Sequence, residues 1–205
     1  MWEKIQQIWK IKDIRNKILF VIGMLVVFRL VAHIPVPGVN IDNLRQFLAG
    51  NQIFGLLDVF SGGTMSNFSV VMLGVGPYIT SSIIFQLLTM ISPKLEELSK
   101  EGEAGQQKIN MYTRLLTVPL AFLQSYAMIK LLNRSSLPII TDLNLFRLVT
   151  IMMTITAGTM FLMWIGELIS EKKVGNGVSF LIFAGIVSGF PGAIRNFSIN
   201  YNSAD

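Results

Sequence analysis

Few residues in this sequence have types and spacings that could perform chemistry. The chain has no cysteine and a single histidine, His33, and it lacks the short motifs that bind zinc, hold a nucleotide phosphate or present a nucleophilic serine. Its acidic residues cluster between 92 and 113 among lysines, as on a solvated surface. We therefore predict no catalytic residue, no metal site and no cofactor, and we expect that the chain is not an enzyme.

Two pairs of branched apolar residues have the spacing of neighbours on one helical face. Val75 and Ile79 are four residues apart, as are Val178 and Ile182, and each pair lies beside closely spaced glycines. Around a narrow aqueous path, such side chains would form a hydrophobic constriction that closes by expelling water. Ordinary packing between helices explains the same spacing, and periodicity alone leaves both interpretations open.

A short apolar stretch at 53–60 ends in Ser61-Gly62-Gly63, and a longer apolar run follows it. A helix over the short stretch would cover about a third to a half of the ~30 Å hydrocarbon core of a bilayer. A helix that breaks inside lipid leaves backbone groups unpaired, which is tolerated only beside protein or a water-filled cavity. We interpret the break as the border of a cavity inside the membrane.

Polar side chains also fall at membrane depth. Thr80, Ser81 and Gln86 lie on the longer run, and Gln124 lies on the next apolar segment. Hydrogen bonds between such groups across helices contribute about 0.6 kcal/mol on average, which suits a seam that opens and equally suits a static contact. Arg29, inside the first apolar segment, is a candidate functional charge, unless it reaches the interface or pairs with a carboxylate.

The elements that position these residues follow from composition. The chain is 52% hydrophobic and 14% charged, against about 25% charged residues in soluble domains, which predicts an all-α polytopic membrane protein. We expect an amphipathic cytoplasmic segment at 1–16, a five-helix membrane region at 17–195, inner loops at about 92–113 and 170–177, and a polar tail at 196–205. The five spans are expected at about 17–34, 68–91, 112–132, 145–169 and 178–194.

The orientation follows from basic residues near the span ends. With the N-terminus in the cytoplasm, eleven lysines and arginines fall on inner segments and five on outer segments. The sequence therefore predicts a cytoplasmic N-terminus and an outer C-terminal tail.

Short motifs along the chain point to a protein family by their order and spacing. They are IPVPG at 34–38, FSGG at 60–63, GPYI at 76–79, KEGE at 100–103, QKI at 107–109, GTMFLMW at 158–164, GNG at 175–177 and IFAGI at 182–186. In this order, the chain resembles the SecY family, the pore-forming subunits of bacterial protein-export channels. The resemblance covers all five predicted spans.

The resemblance implies a role for each feature above. Residues 53–64 would be the plug, a re-entrant half-helix that blocks the pore, and the plug positions are Ile53, Phe54, Gly55, Leu56, Leu57, Asp58, Val59, Phe60, Ser61, Gly62 and Gly63. The positions that match the pore ring are Val75, Ile79, Val178 and Ile182. The second and third spans would form one wall of the lateral gate for signal sequences, with Thr80, Ser81, Gln86 and Gln124 as its polar residues.

The family has ten spans in two five-span halves of inverted topology, so the chain is expected to be the N-terminal half of a clamshell whose C-terminal half lies elsewhere. The resemblance implies protein transport in the bacterial cytoplasmic (inner) membrane. The implied partners are SecE, SecG, the motor ATPase SecA or a translating ribosome, signal peptides, nascent chains and lipid. A secondary transporter, which also uses broken helices, is the alternative, although its spans would need ionisable groups at the midplane. A scaffold without conduction is a third possibility.

Overall fold

The computed structural model describes residues 11–50, 55, 58, 61–134, 139–140 and 144–202, with side chains as far as residue 190. Over these residues the chain is all-helical, with two isolated bridges and no strand. The helices are α1 (Lys12–Ala32), α2 (Ile41–Ala49), α3 (Gly76–Ile91), α4 (Pro93–Lys100), α5 (Glu103–Asn133), α6 (Leu145–Glu171) and α7 (Gly177–Asn202). The predicted all-α class is confirmed.

Helix α6 lies at the centre of the bundle, because it packs against α1, α3, α5 and α7. Among the described residues, α5 and α6 are each long and apolar enough to cross a bilayer, and α3 and the part of α7 up to Phe190 are shorter apolar helices. Many large side chains of α6 are buried, among them Ile155 and Leu162. The buried stripe of α5 repeats every four residues and is rich in small side chains such as Thr113, Thr117 and Ala121. Small residues let membrane helices approach closely.

The expected start of the second span, near residue 68, is wrong. Helix α3 begins at Gly76, and residues 64–75 form a series of buried turns in which Phe68 and Gly74 have positive φ angles of 43° and 57°. The backbone of these turns is paired with the segment that follows α1: Val36 N–H donates to the Phe68 carbonyl at 2.9 Å, and Val70 N–H donates to the Ile34 carbonyl at 3.0 Å. Buried turns with satisfied backbone groups are as apolar in sequence as a helix, so hydropathy does not separate them.

These turns also pack against α6 through a glycine. A Cβ atom built on Gly158 would lie 2.7 Å from the Val70 carbonyl carbon and 3.3 Å from the Val71 Cα. Only a residue without a side chain allows the two backbones to approach this closely. Gly158 therefore fixes how near the turns lie to the central helix.

The inner segment 92–113, expected as a hydrophilic loop, is largely helical. Helix α4 occupies most of its first half and packs against α3 and α5, and α5 begins at Glu103, well before the expected start of the third span at 112. The third span is thus the continuation of a helix that starts in the polar region. In the same way α1 begins at Lys12, inside the expected lead-in, and α7 continues to Asn202, inside the expected tail. Residues 1–10 and 203–205 lie outside the described part of the chain.

Candidate functional site

Three of the four predicted ring residues lie in one apolar cluster. Val75 is 8% exposed and belongs to a buried core with Leu162 and Leu181, and Val178 and Ile182 pack against that core. The fourth residue, Ile79, is 37% exposed on α3, one turn beyond Val75. The structure therefore brings the start of α3 and the start of α7 together.

Two cavities border this cluster. The larger, about 470 Å³, is lined by Ile79, Val178 and Ile182 together with polar residues of α3, α5, α6 and the α6–α7 turn. The smaller, about 40 Å³, is lined by Val75, Ile182 and Ser61. Because Ile182 lines both, the apolar cluster stands where a polar cavity meets a small apolar one. A hydrophobic constriction requires this arrangement.

Apart from Gln86, which was predicted as a gate residue, the polar lining of the larger cavity was not foreseen from the sequence. It includes Ser82, Asn110, Glu167, Asn176 and Ser179, which come from four separate parts of the chain. Arg114 on α5 forms an ion pair with Glu167 on α6, and the glutamate side chain is only 22% exposed. This pair ties the third span to the fourth at the edge of the cavity. An arginine on one segment and a glutamate on another give no sequence signal for such a pairing.

Of the predicted plug residues, Gly55, Asp58, Ser61, Gly62 and Gly63 are described; the backbone is helical at the first three. Ile53, Phe54, Leu56, Leu57, Val59 and Phe60 lie outside the described residues.

The described end of this segment is closed by local hydrogen bonds. Ser61 Oγ donates to the Asp58 carbonyl at 2.9 Å, and Ser66 N–H donates to the Asp58 carboxylate at 2.8 Å. Gly63 N–H also donates to the main-chain carbonyl of Asp58, at 2.9 Å. Asp58 is therefore bonded to the turns that follow it.

Gly62 lies against the last helix and cannot be replaced there. Its φ angle is +72°, a conformation that costs a side-chain-bearing residue steric strain. A Cβ atom built on it would lie 2.8 Å from the Cα atom of Gly185 on α7. Two glycines from distant parts of the chain therefore meet backbone to backbone, next to the small cavity that Ser61 lines.

Arg29 has a partner that the sequence did not reveal. Its Nη1 donates to the Gly62 carbonyl at 2.8 Å, so the charge in α1 pairs with a backbone oxygen of the predicted plug. Neither of the simpler expectations, a side chain reaching the interface or a carboxylate partner, describes this contact. The only sequence signal that could have pointed to it is the Gly62-Gly63 pair, which marks an exposed backbone.

The predicted gate residues are divided between two environments. Ser81 is fully buried, and its hydroxyl donates to the Thr113 carbonyl of α5 at 2.7 Å. Thr80 and Gln86 are exposed on α3: Thr80 bonds to the Gly76 carbonyl of its own helix, and Gln86 contacts Ser82. Gln124 is half-buried on α5. Ser81 thus holds α3 to α5, while Thr80 is exposed and Gln86 lines the larger cavity beside Ile79.

Within the described ranges, no group of three or more acidic or histidine side chains converges to hold a metal ion. His33, the single histidine, is exposed, and its Nδ1 lies 2.7 Å from the Arg29 carbonyl.

Comparison with known proteins places these features in a family context. The SecY family model matches residues 69–204. The chain is 44% identical to protein translocase subunit SecY of Streptomyces coelicolor over 198 residues, which cover 91% of this chain and 45% of the relative. It is 46% identical to the subunit of the same name of Bacillus licheniformis over 199 residues, which cover 95% of this chain and 46% of the relative.

A third relative of the same name, from Mycobacterium tuberculosis, is 46% identical over 191 residues, which cover 87% of this chain and 43% of the relative. The chain therefore spans a little under half the length of these curated relatives.

Proposed function

This chain belongs to the SecY family, and we propose that it forms one half of the pore of a protein-conducting channel. The channel would pass unfolded secretory polypeptides across the bacterial cytoplasmic membrane and release transmembrane segments sideways into the lipid. A second five-span half would complete the pore, in agreement with the fraction of the relatives that this chain covers. The N-terminus would lie in the cytoplasm, as the distribution of basic residues predicts.

The observation that supports this function best is the apolar cluster between two cavities. Val75, Ile79, Val178 and Ile182 come from two distant helix starts, and all four border one or both cavities. In the proposed function they form half of a ring that closes around a passing chain and keeps ions out when no chain is present. The larger polar cavity would be the cytoplasmic vestibule where the chain enters.

Residues 53–63 would act as the plug on the other side of this ring. Ser61 supports this role, because it shares the small cavity with Val75 and Ile182. Helix α3 would form one wall of the lateral gate, with Thr80 on its exposed side, Gln86 at the edge of the larger cavity and Gln124 on the neighbouring α5. Ser81 would hold that wall together by its bond to α5.

The proposed channel is passive, so the chain would have no enzymatic activity and no cofactor of its own. The energy for transport would come from SecA or from a translating ribosome, and SecE and SecG would complete the complex. Signal peptides and nascent chains would be its substrates.

A secondary transporter is the weaker alternative. A transporter places ionisable groups or unwound carbonyls around a midplane solute site, whereas the cluster at the junction of the two cavities is apolar. The relatives are named as protein translocase subunits.

Substituting the ring tests the proposed function. Glycine at Val75, Ile79, Val178 and Ile182 in the complete, reconstituted translocase should raise the resting ion leak through proteoliposomes, because the constriction loses its branched side chains. As a control, glycine at Ile22 and Val26, which are exposed on α1 and border neither cavity, should leave the leak unchanged. An unchanged leak in the ring variant would overturn the ring, and failure of the wild-type complex to transport a secretory precursor would overturn the function.

A further inference from the structure

We propose that Arg29 is a positioning residue that holds the plug closed, by donating to the Gly62 carbonyl while Gly62 is seated against Gly185. This inference rests on the proposed function and adds a residue of the first span to the closing machinery. The set Arg29, Gly62 and Gly185 is called the plug latch below.

The bond between Arg29 and Gly62 connects two distant parts of the chain. Arg29 lies in the last turn of α1, and Gly62 lies 33 residues further along the chain. The distance from Nη1 to the carbonyl oxygen is 2.8 Å, which is typical of a hydrogen bond from a charged donor. The bond therefore links the body of the membrane bundle to the end of the plug.

The Gly62 carbonyl needs a hydrogen-bond donor. Gly62 is buried in a turn directly after the helical residue Ser61, and the Ser66 N–H that a continuing helix would direct at the Gly62 carbonyl donates to the Asp58 carboxylate instead. Away from water, such a group must be paired. The guanidinium supplies that pairing from α1.

The charge of Arg29 has no competing acidic partner in the part of the chain that the structure describes. Among the described residues, the ion pairs involve Lys17, Lys100, Lys108 and Arg114, and no carboxylate pairs with Arg29. A charge inside a membrane span is costly and is kept where it interacts. Here the side-chain interaction is the one with Gly62.

Three elements converge at the Arg29 contact. The position of a Cβ atom on Gly62 is 2.8 Å from Gly185 Cα and 3.2 Å from Arg29 Nη1, so α1, the plug and α7 meet there. Phe28, next to Arg29, lines the small cavity with Ser61. Movement of the plug away from α7 therefore has to break the Arg29 bond at the same time.

The glycine pair Gly62-Gly63 permits the plug to move. Gly62 and Gly63 both have positive φ angles, 72° and 79°, and the turns that follow from Thr64 are paired with the segment after α1. The plug can turn about this glycine pair, and displacement breaks the bonds of Asp58 to Gly63 and Ser66 as well as the latch. The latch lies at the first glycine of the pair.

The experiment compares Arg29→Met with the wild type in the complete translocase. Methionine keeps much of the side-chain length and removes the charge and the donors. Loss of one charge-assisted hydrogen bond should raise the population with the plug displaced about tenfold, measured as resting ion leak and as export of a precursor with a weakened signal. Arg29→Lys, which keeps a cationic donor, should restore part of the closure.

A plug deletion separates the latch from a general structural role. When residues 55–63 are removed, Arg29→Met should add no further leak, because the group that it positions is gone. An equal increase in the presence and absence of the plug would overturn the latch. The ring glycine variant serves as the positive control: a leaking ring variant together with a tight Arg29→Met channel contradicts the latch and leaves the proposed function intact.

A labelling measurement gives an independent readout. The chain has no cysteine, so Ser61→Cys introduces a single thiol at the edge of the small cavity, and its reaction with a membrane-impermeant maleimide reports displacement of the plug. Arg29→Met should accelerate this labelling about tenfold. If that variant does not assemble, Arg29→Gln takes its place, and a labelling rate equal to that of Ser61→Cys alone overturns the latch.

Discussion

Replacing Gly158 by alanine should separate the central helix from the turns that lead to the ring. Gly158 is in the middle of α6, and the added methyl group would meet the backbone of Val70 and Val71. The turns end at Val75, directly before α3. A displacement at Val70 is therefore transmitted to Val75, the first position of the proposed ring.

The magnitude follows from the distances. Carbon atoms in contact are about 3.5–4.0 Å apart, whereas the new Cβ would be 2.7 Å from the Val70 carbonyl carbon and closer still to the Val70 carbonyl oxygen, so the turns have to move by at least roughly 1 Å. Forcing extra volume into a packed core costs about 1–3 kcal/mol. Alanine is better than glycine in a helix by up to about 1 kcal/mol, which leaves a net destabilisation of roughly 1–2 kcal/mol.

The chain supplies a matched control at Gly23. This glycine lies in α1, and a Cβ atom built there would meet nothing within 4 Å, so Gly23→Ala should be neutral or slightly stabilising. Thermal unfolding of the purified complex in detergent, with resting ion leak as the functional readout, compares the two variants. If Gly158→Ala unfolds at the same temperature as Gly23→Ala and does not leak, the close approach of α6 to the turns is refuted.

Two further predictions concern surfaces. Thr80→Val keeps the side-chain shape and removes the hydroxyl from the exposed side of α3, so a more hydrophobic signal should be needed for export. Thr150→Val is the control, because Thr150 is exposed on α6 and has a similar bond to its own helix. If both variants need the same signal hydrophobicity for export, the gate role of Thr80 is refuted. The Lys100 ammonium, bonded to Glu96 at 2.6 Å, holds the pKa of that carboxyl below its usual range, so this pairing favours folded α4 above the usual glutamate pKa and is lost as the pH falls through the lowered value. Lys100→Met should raise the Glu96 pKa in an NMR titration, and an unchanged value would contradict the pairing.

The sequence predicts local periodicity well and long-range partners poorly. The pairs Val75 and Ile79, and Val178 and Ile182, were recognised because residues four apart share a helical face. The structure brings Ile79, Val178 and Ile182 to the larger cavity and places Val75 with Ile182 at the smaller one. The same periodicity explains why Ser81 contacts the third span and Thr80 does not. The sequence did not show which of the two residues would face that span. The roles of these residues in a ring and a gate stay predictions.

The failures have a common physical cause. Apolar composition indicates that a segment is buried but not which backbone conformation it adopts. Residues 68–75 are buried as turns rather than as a helix. Polar composition likewise suggested a loop at 92–113, although α4 and the start of α5 are helices whose charged faces are exposed. The partner of Arg29 is a backbone carbonyl, a group that every residue has, so no pattern of side chains could identify it.

The pairing of residues 64–75 also sets an order in which the chain can assemble. Their hydrogen bonds to Ile34 and Val36 can form as soon as the turns themselves have been synthesised. Their other neighbour, Gly158, arrives only after the third span and half of the fourth have been made. During insertion one side of these turns therefore stays uncovered until α6 is in place.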